Sequence, residues 1–143
     1  MTYAGLDGKE YKVNLSKHLE QSPNKSKLHL QVREFLKTTF PMFTVFEEVS
    51  IKGFPKRSTY FFDFMIPGLR KIFEPNGQQH YKHIGFFHDT KLAYLKARQR
   101  DKLKQDWCIL NKFTLYEFRF DETEEDWLKK LEDSRDSKTN VSL

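Results

Sequence analysis

The stretch TYFFDFMIPGLRKIFEP, residues 59–75, decides how this chain folds. Thr59–Ile66 is rich in aromatic and β-branched residues, which favours a β-strand. Pro67 and Gly68 then favour a turn. Lys71–Glu74 predicts a second, short strand that Pro75 ends, because proline lacks the N–H that a strand donates. The stretch therefore predicts an antiparallel hairpin.

This hairpin carries two carboxylates, Asp63 and Glu74. A two-residue turn at Gly68 and Leu69, or a four-residue turn at Pro67–Arg70, pairs Asp63 directly with Glu74. Directly paired side chains share a face, with Cβ atoms about 4.5–5.5 Å apart, and like charges there are destabilising. A divalent cation such as Mg²⁺ would relieve that repulsion. The alternatives are a register shifted by one residue, or neutralisation by Lys71 or Lys104.

The remaining elements are predicted outward from the hairpin. We expect a helix capped by Ser26 and ending near Thr38, a strand over 42–51, a loop over 76–89, a helix from Thr90 to Leu110, a strand over 113–120 and an acidic helix ending near Leu131. This order predicts an α/β fold, a mixed sheet with helices packed on it. We expect a hairpin and linker at 1–25, one domain at 26–133 and a frayed tail at 134–143.

Composition narrows the class of protein. The chain has 143 residues and one cysteine, Cys108, so an intramolecular disulfide is excluded. It contains no apolar run of the roughly 18 residues that a membrane span needs, and its start does not have the pattern of a signal peptide. We therefore expect a soluble, cytoplasmic protein.

Charge is unevenly distributed. The net charge is +5, and the predicted helix at 90–110 carries a basic stripe. Its six members are Lys91, Lys96, Arg98, Arg100, Lys102 and Lys104. Such a stripe suits a polyanion, most often nucleic acid, although a solvated helix face has the same pattern.

Two further residues could act near the carboxylates. His80 follows Glu74 in a loop that contains Pro75 and Gly77, and it could serve as a general acid or base, or could simply pack there. Asp101 lies on the predicted basic helix, on the side away from its apolar stripe. Asp101 could reach an active site or could pair with Lys104 one turn later.

Together these residues resemble the PD-(D/E)XK nuclease superfamily. The matching pieces, in order, are Ser26–His29, Phe62–Phe64, Phe73–Tyr81 and Arg100–Lys104. Within that superfamily the pattern is similar to the branch of very-short-patch-repair endonucleases, which includes small phage-type and homing endonucleases. The match spans about residues 26–120, and 113–118 falls where the family has its last core strand.

The resemblance implies a restriction-endonuclease-like fold and a metal-dependent DNA endonuclease that uses Mg²⁺ or, as a substitute, Mn²⁺. Asp63 and Glu74 would hold the metal, His80 would handle a proton, and Asp101 would orient His80 or a metal-bound water. The basic stripe and a second group, Lys52, Lys56 and Arg57, would bind the DNA backbone. A phage origin and a homodimer are both compatible with this branch.

The sequence departs from the family pattern in two places. Asn76 occupies the position where the superfamily often has lysine, so His80 would take over that work, with Gln79 nearby. The glutamate of the first helix falls on His29, with Glu34 further along, and Glu47 and Glu48 are alternatives. Two rival functions stay open: a catalytically inactive DNA-binding module and an RNA-directed nuclease.

Overall fold

The computed structural model describes residues 1–19, 21–77 and 88–141. The described chain has two short strands, β1 (Thr2–Ala4) and β2 (Glu10–Lys12), and then helix α1 (Lys27–Thr39). Strands β3 (Phe46–Phe54), β4 (Ser58–Ile66) and β5 (Lys71–Asn76) follow. Helix α2 (His88–Leu110), strand β6 (Thr114–Arg119) and helix α3 (Glu124–Val141) complete it.

The main sheet of the described chain is four-stranded and mixed, in the order β3-β4-β5-β6. β3, β4 and β5 pair antiparallel, whereas β6 pairs parallel to β5. A parallel neighbour needs a long crossover connection, and α2 lies within that connection. The fold is therefore α/β with a mixed sheet, as the sequence predicts.

Two core clusters lie on opposite faces of this sheet. Neighbouring residues on a strand point to opposite faces, and Ile72 belongs to the first core cluster while Phe73 belongs to the second. Trp107 of α2 packs in the first cluster. Val32 of α1 and Trp127 of α3 pack in the second. Thus α2 covers one face, and α1 and α3 cover the other.

The N-terminal hairpin of β1 and β2 packs on the first core cluster. Tyr3 and Val13 are buried there together with Trp107, and the Tyr3 hydroxyl accepts a hydrogen bond from the backbone N–H of Lys52 at 2.8 Å. The hairpin approaches β3 closely at Gly53. This glycine has a φ of +94°, and a Cβ added to it would lie 2.9 Å from Gly5 Cα. Residues 1–13 therefore belong to the packed unit rather than standing apart from it.

Helix α1 follows its sequence signals closely. Ser26 is the N-cap, and its hydroxyl accepts a hydrogen bond from the His29 N–H at 3.1 Å. The buried apolar residues Val32, Phe35 and Leu36 form the side that faces the sheet. The helix ends at Thr39, one residue after its predicted end.

Several element limits differ from the sequence predictions. β3 begins at Phe46 instead of residue 42, because a turn closed by the Phe43 N–H and the Phe40 carbonyl at 3.2 Å occupies the preceding residues. β5 continues past Pro75 to Asn76. α3 continues to Val141, through most of the segment expected to be frayed. On α2 only part of the predicted apolar stripe is covered, since Leu92 and Leu95 are about half exposed.

Pro75 does not end β5 because of its position in the ladder. Pairing between β4 and β5 covers Lys71–Phe73, whereas pairing between β5 and β6 continues to Asn76. Pro75 therefore lies where β5 has this ladder on one side only, and a missing N–H is tolerated at such edge positions. Among the described residues, no helix is long and apolar enough to cross a membrane.

Candidate active site at the centre of the sheet

The central feature is the pairing of Asp63 with Glu74. Phe64 pairs with Phe73, Met65 with Ile72 and Ile66 with Lys71, so the next pair in the same register is Asp63 and Glu74. The Asp63 N–H donates to Glu74 Oε2 at 3.0 Å. The predicted register is confirmed, and the turn is the four-residue one, Pro67–Arg70, in which Arg70 has a φ of 54°.

A row of acidic residues crosses the sheet at this level, one on each strand. Glu74 pairs with Glu117 of β6. On the other side, Glu47 pairs with Phe64 and Val49 with Phe62, which places Glu48 opposite Asp63. We call Glu48, Asp63, Glu74 and Glu117 the acid row. Glu117 is absent from the sequence predictions, because no local signal specifies the register of a parallel strand that follows α2.

The strands are irregular where the acid row crosses them. Residues two apart normally share a face, yet Phe62 packs in the first core cluster and Phe64 in the second. The same change occurs on β3 between Glu47 and Val49, around Glu48, whose φ is 49°. A positive φ is uncommon for a non-glycine residue, and such strained positions concentrate at functional sites.

Lys104 of α2 is the cation at the pair. Its Nζ donates to Glu74 Oε1 at 2.6 Å and to the Phe61 carbonyl at 2.6 Å, and it lies 5.3 Å from the centre of the Phe62 ring. Lys71, the other candidate for neutralising the pair, instead donates to the Tyr116 hydroxyl at 2.8 Å. The sequence left neutralisation by Lys104 open as an alternative, and the structure contains that ion pair.

The compensation by Lys104 is incomplete. The pKa of Asp63 is raised to about 8, chiefly by burial and then by the hydrogen bond to Glu74 and the Glu74 charge. The Lys104 charge acts in the opposite direction, and Glu48 adds to the repulsion. A second cation at this point would favour the ionised form of Asp63.

A cleft of about 260 Å³ opens over the pair, between the sheet and α2. Asp63 and Glu74 form its sheet side together with Asn76 and Glu117. Arg100, Asp101 and Lys104 line it from α2. The helix row that the sequence predicted to face away from the apolar stripe thus reaches the carboxylate pair. The volume of the cleft is near the lower limit of small-ligand pockets. It has room for one phosphate group and the atoms next to it.

The other predicted DNA-binding residues lie outside the cleft lining. Lys96, Arg98 and Lys102 are exposed on α2, and the Arg98 guanidinium lies 6.0 Å from the centre of the Tyr94 ring. Lys52 is exposed on β3, and Lys56 and Arg57 are exposed in the turn between β3 and β4. Since a strand rises about 3.3 Å per residue, Arg57 is roughly 20 Å from Asp63.

The first-helix candidates do not join the pair. His29 Nε2 lies 2.7 Å from Glu47 Oε1, and Arg33 Nε donates to Glu47 Oε2 at 2.7 Å. This buried network is on the face that α1 covers, since His29 packs on Phe64 of the second core cluster. Burial works against ionisation of Glu47, but the hydrogen bonds from His29 and Arg33 outweigh it and lower its pKa. Glu34 is exposed, and its Oε1 lies 3.9 Å from Lys37 Nζ.

The additional candidates have different outcomes. Glu48 lies in the acid row and forms an ion pair with Lys25. Asn76 lines the cleft, at the position where the family often has lysine. Gln79 and the predicted proton-handling residue His80 lie outside the described residues.

The residues present fit a magnesium ion with few protein ligands. Within residues 1–19, 21–77 and 88–141, no group of three or more His, Cys, Asp or Glu side chains is arranged to hold a metal ion. Mg²⁺, however, is often bound through one or two carboxylates, with waters and substrate phosphate oxygens as the other ligands. Asp63 and Glu74, an under-compensated carboxylate pair in an open cleft, meet that requirement.

Comparison with known proteins gives one partial match. Over 55 residues, 38% of this chain, the sequence is 44% identical to "Uncharacterized protein 307L" of Invertebrate iridescent virus 6. The matched segment spans only 28% of that protein's length. No family model matches the chain, and no solved structure matches it.

Proposed function

We propose that this protein is a Mg²⁺-dependent DNA endonuclease of the restriction-endonuclease-like type. The observation that carries the proposal is the hydrogen bond from the Asp63 N–H to Glu74 Oε2, which holds the two acidic residues side by side in a cleft whose other wall is a basic helix. Two carboxylates that repel each other favour the binding of a metal ion. The cations beside them favour the binding of a phosphodiester backbone.

The order of elements supports the same proposal. Helix α1, the three antiparallel strands, α2 and then the parallel strand β6 follow one another. Asp63 lies on the second strand of that sheet, Glu74 on the third and Asp101 on the helix that follows. This is the order of the motif pieces on which the resemblance to PD-(D/E)XK nucleases rests.

Each residue of the site would have a distinct role. Asp63 and Glu74 would hold Mg²⁺, which when bound supplies a polarised water and neutralises charge on the scissile phosphate. Arg100, which lines the cleft, would bind that phosphate. Lys96, Arg98 and Lys102 would bind the flanking backbone, and His80 would transfer a proton.

The test is cleavage of supercoiled plasmid DNA by the full chain, with and without Mg²⁺. We expect nicked or linear product only with the metal, and loss of product in Glu74→Gln. Glu34→Gln is the matched control, because Glu34 is an exposed glutamate outside the cleft lining. Metal-independent cleavage, or full activity of Glu74→Gln, would contradict the proposal.

One observation favours a second candidate, a DNA-binding module without catalysis. The ammonium group of Lys104 already contacts Glu74 Oε1 at 2.6 Å, so the pair has a counter-ion without any metal. Such a module would bind the plasmid with the salt dependence typical of phosphate contacts. The plasmid would remain uncut at every Mg²⁺ or Mn²⁺ concentration.

A further inference from the structure

Lys104 differs from the other cations of the basic stripe. Its side chain is only 14% exposed, whereas Lys96, Arg98 and Lys102 are exposed residues. Two short hydrogen bonds fix its Nζ, to Glu74 Oε1 and to the Phe61 carbonyl. While its Nζ makes these two hydrogen bonds, Lys104 contacts the sheet rather than the solvent side of α2, so its role differs from that of its neighbours.

The ammonium group of Lys104 occupies a carboxylate oxygen that a metal ligand would need free. Glu74 offers Oε2 to the Asp63 N–H and Oε1 to Lys104. Both carboxylate oxygens of Glu74 are therefore engaged in the protein alone. Each carboxylate oxygen can accept more than one contact, but an ammonium group and a divalent cation on the same oxygen repel each other. A metal at Oε1 therefore competes with Lys104, whereas the neutral Asp63 N–H at Oε2 does not oppose it.

We infer that Lys104 is an exchangeable counter-ion of the carboxylate pair, and that a divalent metal binds by displacing its Nζ from Glu74 Oε1. The inference rests on the proposed function, since it takes Asp63 and Glu74 as the metal ligands. In the exchange the Lys104 ammonium keeps its protons and leaves Glu74 Oε1. Lys104 is thus a positioning residue that also sets the metal affinity.

The inference predicts that removing the Lys104 charge strengthens metal binding. Lys104→Met keeps an unbranched apolar chain over Phe62 but leaves Glu74 without its cation. Because one unit charge within hydrogen-bond distance is removed, we expect the Kd for Mg²⁺ to fall at least about tenfold. Lys102→Met removes an exposed charge from the same helix, and we expect its Kd to change less than about twofold.

The experiment is calorimetric titration of the full chain with Mg²⁺, without DNA, at one pH for all variants. Wild type, Lys104→Met, Lys102→Met and Lys104→Gln are compared, and Lys104→Gln removes the charge while keeping a donor for Glu74. Tighter binding by both Lys104 variants supports the inference. Equal or weaker binding by them, while wild type binds Mg²⁺, overturns it and leaves the metal site in place.

Failure of the proposed function gives a different result. If neither wild type nor the Lys104 variants bind Mg²⁺, the metal site itself is wrong, and the inference falls with it. If Lys104→Met only lowers the melting temperature and leaves the Kd unchanged, Lys104 is a structural link between α2 and the sheet. That second result overturns the inference alone.

Discussion

Two carboxylates on opposite faces of the same sheet, the buried Glu47 and the half-buried Asp63, have opposite surroundings. Glu47 receives hydrogen bonds from Arg33 Nε and Nη2 and lies against His29, so its pKa is lowered although it is buried. Asp63 faces Glu74 with only Lys104 beside them, and its pKa is raised to about 8. Glu47 is therefore fully compensated within a structural network, whereas Asp63 and Glu74 share the single ion pair to Lys104.

The largest expected effect is on catalysis, which should depend on Asp63 and Glu74 and not on Glu47. Asp63→Asn and Glu74→Gln should reduce plasmid cleavage to background while DNA affinity stays within a few-fold, because each removes a metal ligand and no phosphate contact. Glu47→Gln should retain the turnover of whatever fraction stays folded. Single-turnover rates and binding by fluorescence anisotropy measure both quantities. Cleavage by Glu74→Gln at the wild-type rate would remove the pair from the site.

Next in size is the stability of the Glu47 network. Glu47→Gln leaves the buried Arg33 without its counter-charge, so we expect the free energy of unfolding to fall by about 3 kcal/mol. Glu34→Gln is the control on an exposed ion pair, and it should change the free energy of unfolding by less than about 0.5 kcal/mol. Urea denaturation measures both. A Glu47→Gln protein as stable as wild type would show that the network contributes little.

The pH dependence of stability should have opposite signs at the two sites. Asp63 has a pKa of about 8 in the folded chain and an ordinary value of 3.8. Between these values the folded state binds more protons than the unfolded state, so this residue lowers stability as pH rises. Glu47, with its pKa lowered from 4.5, instead contributes stability above that value and loses it on acidification.

Asp63→Asn isolates this effect, because asparagine cannot ionise. Its stability relative to wild type should be greater at about pH 8 than at about pH 5, by up to about 4 kcal/mol, since the folded and unfolded states differ by nearly one proton over these three pH units and each unit corresponds to about 1.4 kcal/mol. Urea denaturation at the two pH values gives the difference. Equal differences at both would mean that Asp63 is ionised throughout this range.

The smallest effect concerns the exposed cations of α2. Neutralising Lys96, Arg98 and Lys102 together should weaken binding to all DNA sequences and flatten the salt dependence, by up to about 0.9 in slope for each phosphate that the variant no longer binds. The control removes the same charge from α1 and α3, at the exposed residues Lys27, Lys37 and Lys129. Equal slopes for the two triple variants would show that the stripe is a solvated face.

Local signals are sufficient to predict part of this structure. The turn after Ile66 sets the register of β4 against β5, and therefore the pairing of Asp63 with Glu74, because antiparallel pairing follows from turn length. Ser26 marks the start of α1. The row of Ala97, Asp101 and Lys104 lies toward the cleft, because helical spacing determines which residues share a side.

Other features depend on contacts distant in sequence. Glu117 joins Glu74 only through the parallel register of β6, which no local turn specifies. The sequence pattern predicts a first-helix residue in the site, but His29 packs on Phe64 on the other face. The predicted end of β5 is wrong because the tolerance of Pro75 depends on which neighbouring strand continues beside it.

The parallel pairing of β5 with β6 has a consequence for how the protein folds. Residues 71–76 can bind β6 only after the chain has passed through all of α2, because Lys71 pairs with Thr114. Pairing across such a long loop is entropically costly and forms late. We therefore expect Glu117 to join Glu74 after the hairpin of β4 and β5 has formed. A chain emerging from the ribosome has its hairpin carboxylates early but no complete cleft, so any activity that depends on the cleft begins only when the whole domain is formed.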